Sequence, residues 1–198
     1  MVTAQTLAPH QGSLTFFTGP MACGKTLELV RHLQIFREQQ IPLICLRPSI
    51  DTRTPTVQSR GGLLHDAIAI NINDFSAIRD AIDAKLVIGI DEVQFFPTEI
   101  VSLLETELRR GKTILISGLD NDFRGQMFPT SQAIMALPET IIQRSRAVCS
   151  VCRQYNATRT QRLRHGKPVP IHDPQVLIDD LADGVTYEAR CLTHHEIT

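Results

Sequence analysis

Five short runs rich in apolar and branched residues, at positions 14–18, 42–46, 67–70, 86–90 and 113–117, punctuate the first two thirds of the chain. Between them, apolar positions recur at the spacing of one helix face, most clearly over 27–36, 74–83 and 97–110. A run that is apolar at consecutive positions suits a strand covered on both sides, as in the stretch from Leu86 to Ile90 that ends on Asp91 and Glu92. The alternation therefore predicts an α/β fold, a mostly parallel sheet with helices on both faces. Asp74 is placed to cap the second helix, and Pro97 sits at a first-turn position of the third, which Gly111 closes.

The pattern changes near Ala147. Apolar and branched residues thin out, while Cys, Arg, His and Asp accumulate. Positions 140–172 hold Arg144, Arg146, Arg153, Arg159, Arg162, Arg164 and Lys167 and no acid, so the C-terminal part is locally basic. Either a solvated face or contact with phosphate fits such a run. Two units are predicted, a core over 1–146 and a smaller subdomain over 147–198.

At 198 residues, 42% hydrophobic and 21% charged, the chain reads as an ordinary globular protein. Its formal net charge of −1 provides no global attraction to nucleic acid or an anionic membrane. No apolar run approaches the roughly 18 residues of a membrane span, and no basic start precedes an apolar core at the N-terminus. The expectation is a cytoplasmic protein. Five cysteines, only three of them clustered near the C-terminus, fit a secreted disulfide framework poorly.

The octapeptide Gly19-Pro20-Met21-Ala22-Cys23-Gly24-Lys25-Thr26 fits the phosphate-binding loop G-x-x-x-x-G-K-[ST], and it lies between the first predicted strand and the first predicted helix. Glycines let backbone N–H groups close around phosphate, and the helix N-terminus adds its dipole. Lys25 reaches the terminal phosphates, and Thr26 offers a hydroxyl to Mg²⁺. Asp91 and Glu92 emerge at the carboxyl edge of the sheet, where open α/β sheets bind ligands. We assign Asp91 to Mg²⁺ and Glu92 to the proton of the attacking hydroxyl. The alternative for these acids is helix capping.

Cys149 and Cys152, then Cys191 and His194 some forty residues on, form two pairs with two residues between partners. Two such knuckles complete a tetrahedral, structural Zn²⁺ site. Either His194 or His195 could ligate, and the matching spacing favours His194. A redox Cys-x-x-Cys would leave the second pair unexplained. Cys45 reads as a core residue, and Cys23 as a reactive bystander in the loop.

Together with Asp51-Thr52-Arg53, the run from Asp91 to Pro97, the run from Gly118 to Pro129, and Tyr187-Glu188-Ala189-Arg190-Cys191, these blocks closely resemble thymidine kinases of the zinc-containing cellular and bacterial type. The resemblance extends in order from about Ser13 to His195. It implies a RecA-like P-loop core with a zinc subdomain bearing a lasso loop over about 163–187. The implied reaction is ATP-dependent phosphorylation of thymidine, and of deoxyuridine, at the 5′-hydroxyl. Its products are dTMP and ADP, in nucleotide salvage for DNA synthesis. By position, Glu92 matches the general base, and Gly19 to Thr26, Arg53 and Asp91 the ATP and Mg²⁺ contacts. Met21, Phe95, Leu119, Phe123 and Phe128 match the apolar wall around the base, and Arg162 and Tyr187 the lasso. The resemblance also implies a homotetramer, feedback by dTTP, and neither a membrane nor a nucleic-acid partner. Ala22-Cys23 stands where the family commonly has Phe-Ser, Met127 where it has proline, and the 177–187 stretch is longer than the usual lasso. A rival reading is a nucleic-acid-binding P-loop ATPase whose basic knuckle grips a phosphodiester backbone.

Overall fold

The computed structural model describes residues 11–49, 56–58, 64–177 and 184–198. The elements run β1 (Ser13–Thr18), α1 (Lys25–Glu38), β2 (Leu43–Pro48), β3 (Thr56–Gln58), β4 (Leu64–Asp66), β5 (Ile68–Ile70), α2 (Phe75–Ile82), β6 (Val87–Ile90), α3 (Ile100–Arg109), β7 (Thr113–Gly118), α4 (Pro129–Met135), β8 (Thr140–Arg144), β9 (Arg159–Arg164), β10 (Lys167–Pro168) and β11 (Val185–Arg190). Six strands form one sheet in the order β5-β2-β6-β7-β1-β8, and every pairing in it is parallel.

All five predicted strands and all three predicted helices are present. Asp74 caps α2, its side chain accepting the Ala77 N–H at 2.9 Å. Alternation along the central strands divides the core between the sheet's two faces. Leu14, Phe16, Ile44, Leu46, Ile88, Ile90, Ile114 and Ile116 face α2, α3 and α4, while Phe17, Cys45, Val87 and Leu115 face α1. Parallel register stacks Ile44 beside Ile88 and Ile88 beside Ile114, giving a continuous apolar layer.

Of the elements not foreseen, two pack with the six-stranded sheet. β8 is an edge strand whose Ile141 and Ile142 stay exposed, so its apolar content is short and unpatterned. α4 spans seven residues and begins at Pro129, a position suited to a first turn.

The C-terminal strands form a separate antiparallel sheet in the order β10-β9-β11. The basic run of positions 140–172 therefore begins inside the six-stranded sheet, in β8. Three of its seven basic residues meet acids of the same chain, Arg144 with Asp120 at 3.0 Å, and Arg162 and Arg164 with Asp173 at 2.8 and 3.5 Å. Within the span expected for the lasso, Leu163, Val169 and Val185 are buried. Asp51, Arg53 and positions 178–183 of the expected lasso lie outside the described residues.

Candidate active site

Parallel strands place all their carboxyl ends along one edge of the sheet. The order β6-β7-β1-β8 sets Asp91, Leu119, the Gly19–Thr26 loop and Ser145 side by side there. Gly19 leaves β1 at φ 136°, and a Cβ at that position would lie 2.4 Å from the Ser145 carbonyl oxygen. Both facts require glycine. Lys25, buried at the first position of α1, turns back to donate to the Pro20 carbonyl at 2.9 Å.

Thr26 Oγ1 lies 3.4 Å from Asp91 Oδ1, which also accepts a short hydrogen bond from the Ser117 hydroxyl. Burial, reinforced by the neighbouring Glu92 charge, raises the Asp91 carboxyl to about 7, against the opposing pull of Ser117 and Lys25. A cation between Thr26 and Asp91 would relieve that buried charge, so these two oxygens fit a Mg²⁺ site.

Glu92 adopts the left-handed conformation, φ 51° and ψ 46°, at the end of β6. A residue other than glycine held there marks local strain of the kind concentrated at functional sites. Gln94 fixes its carboxylate, donating through Nε2 to Oε2 at 2.6 Å, while the Gln94 Oε1 accepts the Leu119 N–H at 3.0 Å. Gly118 makes room for this bridge, since a Cβ there would meet Gln94 Oε1 at 2.6 Å. Gln94 lies within the quoted Asp91–Pro97 run, but sequence alone assigned it no role.

The residues matched to a nucleoside wall arise from separate segments. Phe95 and Leu119 are half-buried, whereas Phe123 and Phe128 are buried in the loop between β7 and α4. Met21 is tied to the C-terminal sheet, its N–H donating to Thr160 Oγ1 of β9 at 3.1 Å. Thr160 carried no signal in the sequence. Arg162 and Tyr187 face each other across β9 and β11. The guanidinium of Arg162 lies 4.3 Å from the centroid of the Phe123 ring and 5.3 Å from that of Tyr187.

The ligand atoms of Cys149, Cys152, Cys191 and His194 all lie within 4.8 Å of one another. A tetrahedral site with metal–sulfur bonds of about 2.3 Å has ligand–ligand separations of about 3.8 Å, so this set can hold a metal ion. Burial would raise the Cys149 thiol, but N–H groups of Cys152, Cys191 and Val151 outweigh it and bring it down to about 6, which favours the ligating thiolate. His194 Nδ1 is 3.1 Å from Cys191 Sγ, whereas His195 is engaged elsewhere, with Nε2 2.8 Å from the Phe123 carbonyl. Cys23 of the loop packs against this cluster, and burial raises its thiol pKa, contrary to a reactive role.

Residues 12–195 match the model of the family described as thymidine kinase. The chain belongs to the thymidine kinase family. It is 40% identical over 190 residues to a thymidine kinase of Coprothermobacter proteolyticus, covering 95% of this chain and 92% of that protein. A thymidine kinase of Pyrobaculum aerophilum is 37% identical over 188 residues, covering 93% and 98%. Among solved structures, the Pif1 helicase from Candida albicans aligns with 14% identity and a TM-score of 0.39. That alignment covers 67% of this chain and 36% of the helicase, too slight a likeness to bear on function. Membership makes the chain a thymidine kinase, a phosphotransferase. No helix among the described residues is long and apolar enough to cross a membrane.

Proposed function

We propose that the chain transfers the γ-phosphoryl group of ATP to the 5′-hydroxyl of thymidine, giving dTMP and ADP, with deoxyuridine as a second acceptor. The observation that carries this reading is the carboxylate of Glu92, fixed by Gln94 beside the Asp91–Thr26 pair and the phosphate loop. The loop amides and Lys25 neutralise the triphosphate, with Arg53 as a further contact. Glu92 takes the 5′-hydroxyl proton as the oxygen attacks phosphorus. Mg²⁺ held by Thr26 and Asp91 would supply charge neutralisation across the phosphates. Met21, Phe95, Leu119, Phe123 and Phe128 offer apolar area to the flat base, and Tyr187 closes the pocket's C-terminal side.

Zn²⁺ on Cys149, Cys152, Cys191 and His194 is structural in this reading, because four protein ligands leave no open position for water. We also infer a division into a core at 1–146 and a zinc subdomain at 147–198, a cytoplasmic homotetramer, and feedback by dTTP at the thymidine site. The nucleic-acid-binding alternative is weakened, since Arg144, Arg162 and Arg164, three of the seven basic residues it rested on, are paired with acids of the same chain.

The test is transfer of labelled phosphate from ATP to thymidine, deoxyuridine and deoxycytidine. Thymidine should be preferred, and Glu92→Gln should lower kcat by roughly 10²-fold with ATP affinity nearly unchanged. Near-normal turnover in that variant removes Glu92 from the proton transfer. Absence of transfer to any nucleoside by the unaltered protein removes the whole reading.

A further inference from the structure

Arg162 is 2% exposed, among the most deeply buried large side chains of the molecule. Its Nη1 donates to Asp173 Oδ2 at 2.8 Å and to the Pro174 carbonyl at 2.5 Å, and its Nη2 to the Gln175 carbonyl at 2.7 Å. The guanidinium thus gathers three consecutive residues of the segment after β10 around one cation. Its central carbon lies over two aromatic rings, 4.3 Å from the centroid of Phe123 and 5.3 Å from that of Tyr187. Gln175 extends the cluster into the core by donating from Nε2 to Asp122 Oδ2 at 3.1 Å. Asp122 shapes the turn that carries Phe123, accepting the N–H groups of Arg124 and Gln126 at 2.9 and 3.0 Å.

We propose that Arg162 and Asp173 form a positioning pair for the nucleoside wall, setting the ring of Phe123 and the segment 173–175 without either charge touching the nucleoside. The inference rests on the thymidine site proposed above and assigns Arg162 a role through Phe123 instead of direct contact with substrate. The chemistry supports this division of labour. Arg162 is almost wholly buried, and three of its five N–H donors are taken by Asp173, Pro174 and Gln175, so the guanidinium is committed to its own chain. A planar cation tied to that segment restricts the ring over which it lies. Subdomain cohesion alone would not call for a charge pair, because well-packed apolar residues replace buried ion pairs at little or no loss of stability. The Nε–H, buried and without a hydrogen-bond partner, fits a residue selected for geometry more than for a full set of bonds.

The deciding experiment removes both charges together. In Arg162→Met with Asp173→Leu, the fold and one metal ion per chain should be retained. The KM for thymidine should rise by about tenfold, while the KM for ATP should stay within about twofold. Gln175→Ala leaves the pair intact but unhooks its segment from Asp122, and should raise the thymidine KM by roughly threefold. If the thymidine KM is unmoved in Gln175→Ala and in the folded double variant, or if both KM values rise together, the pair is ordinary subdomain packing and the proposal is overturned. Should the double variant fail to fold, Gln175→Ala decides alone. An unaltered protein that fails to phosphorylate thymidine overturns the proposed function and this inference with it, whereas an active one in which no folded variant moves the thymidine KM overturns only the inference.

Discussion

Among the described residues, eighteen buried apolar side chains from Leu14 to Ile134 form one cluster beneath α2, α3 and α4, and seven more lie beneath α1. The cluster at the cysteine knuckles has five members, all alanine or cysteine. Large branched side chains on a central sheet remove enough area from water to hold the core by burial. Small side chains do not, and the knuckle region relies instead on its ligand set. The two regions meet where the chemistry is proposed, through Met21 with Thr160, Phe123 with Arg162, and the Phe123 carbonyl with His195. A burial-held region supplies the phosphate loop and acids, and a ligand-held region sets the wall against which the acceptor would lie.

The sharpest way to break this comparison is to remove the metal. Treatment with a strong chelator under reducing conditions, or Cys191→Ala, should abolish activity and open residues 147–198 to protease while leaving the six-stranded sheet folded. Circular dichroism and mass mapping of the fragments would read this. Simultaneous loss of both regions would mean that the core depends on the knuckles.

The converse change targets burial alone. Ile88 is fully buried at the centre of the large cluster, so Ile88→Ala should lower unfolding stability by about 2–5 kcal/mol. Metal content should not change. Denaturant melts together with elemental analysis check both, and metal loss in this variant would show that the two regions are not independently held.

A smaller effect should come from Gly118→Ala. The added Cβ displaces Gln94 Oε1 from 2.6 Å and so disturbs the support of Glu92, which should lower kcat on the order of tenfold with ATP binding kept. Steady-state kinetics with both substrates varied would test it. Smallest of all is His195→Ala, which should keep the metal, in contrast to His194→Ala, and raise the thymidine KM by roughly threefold through the lost bond to the Phe123 carbonyl. If His195→Ala released the metal and His194→Ala did not, the ligand assignment would be exchanged.

Much of the fold could be read along the chain because its signals are local. Asp74 caps the helix that follows it, and Leu86 to Ile90 is apolar at every position except Gly89, which lies under Leu33 of α1. β8 escaped because an edge strand buries little and so carries no strong pattern, with Ile141 and Ile142 exposed. Gln94 escaped for a different reason. Its amide bridges Glu92 and Leu119, and nothing in its neighbours along the chain reports a partner 25 residues away.

By itself, then, the sequence determined the strand–loop–helix of Gly19 to Thr26, the strand and helix periods, the acid pair after β6 and the metal-ligand spacing. Each of these depends on residues within a few positions of one another. Tertiary structure alone decided which distant groups meet. Placing β1 between β7 and β8 brings Ser145 against Gly19, and the seating of β9 brings Thr160 to Met21 across 139 residues. It also turned His194, which the spacing favoured, toward the cysteines and His195 toward Phe123, because only packing sets a partner against each of two adjacent imidazoles. Such contacts come from the packing of whole elements, and no residue carries a local preference that encodes them.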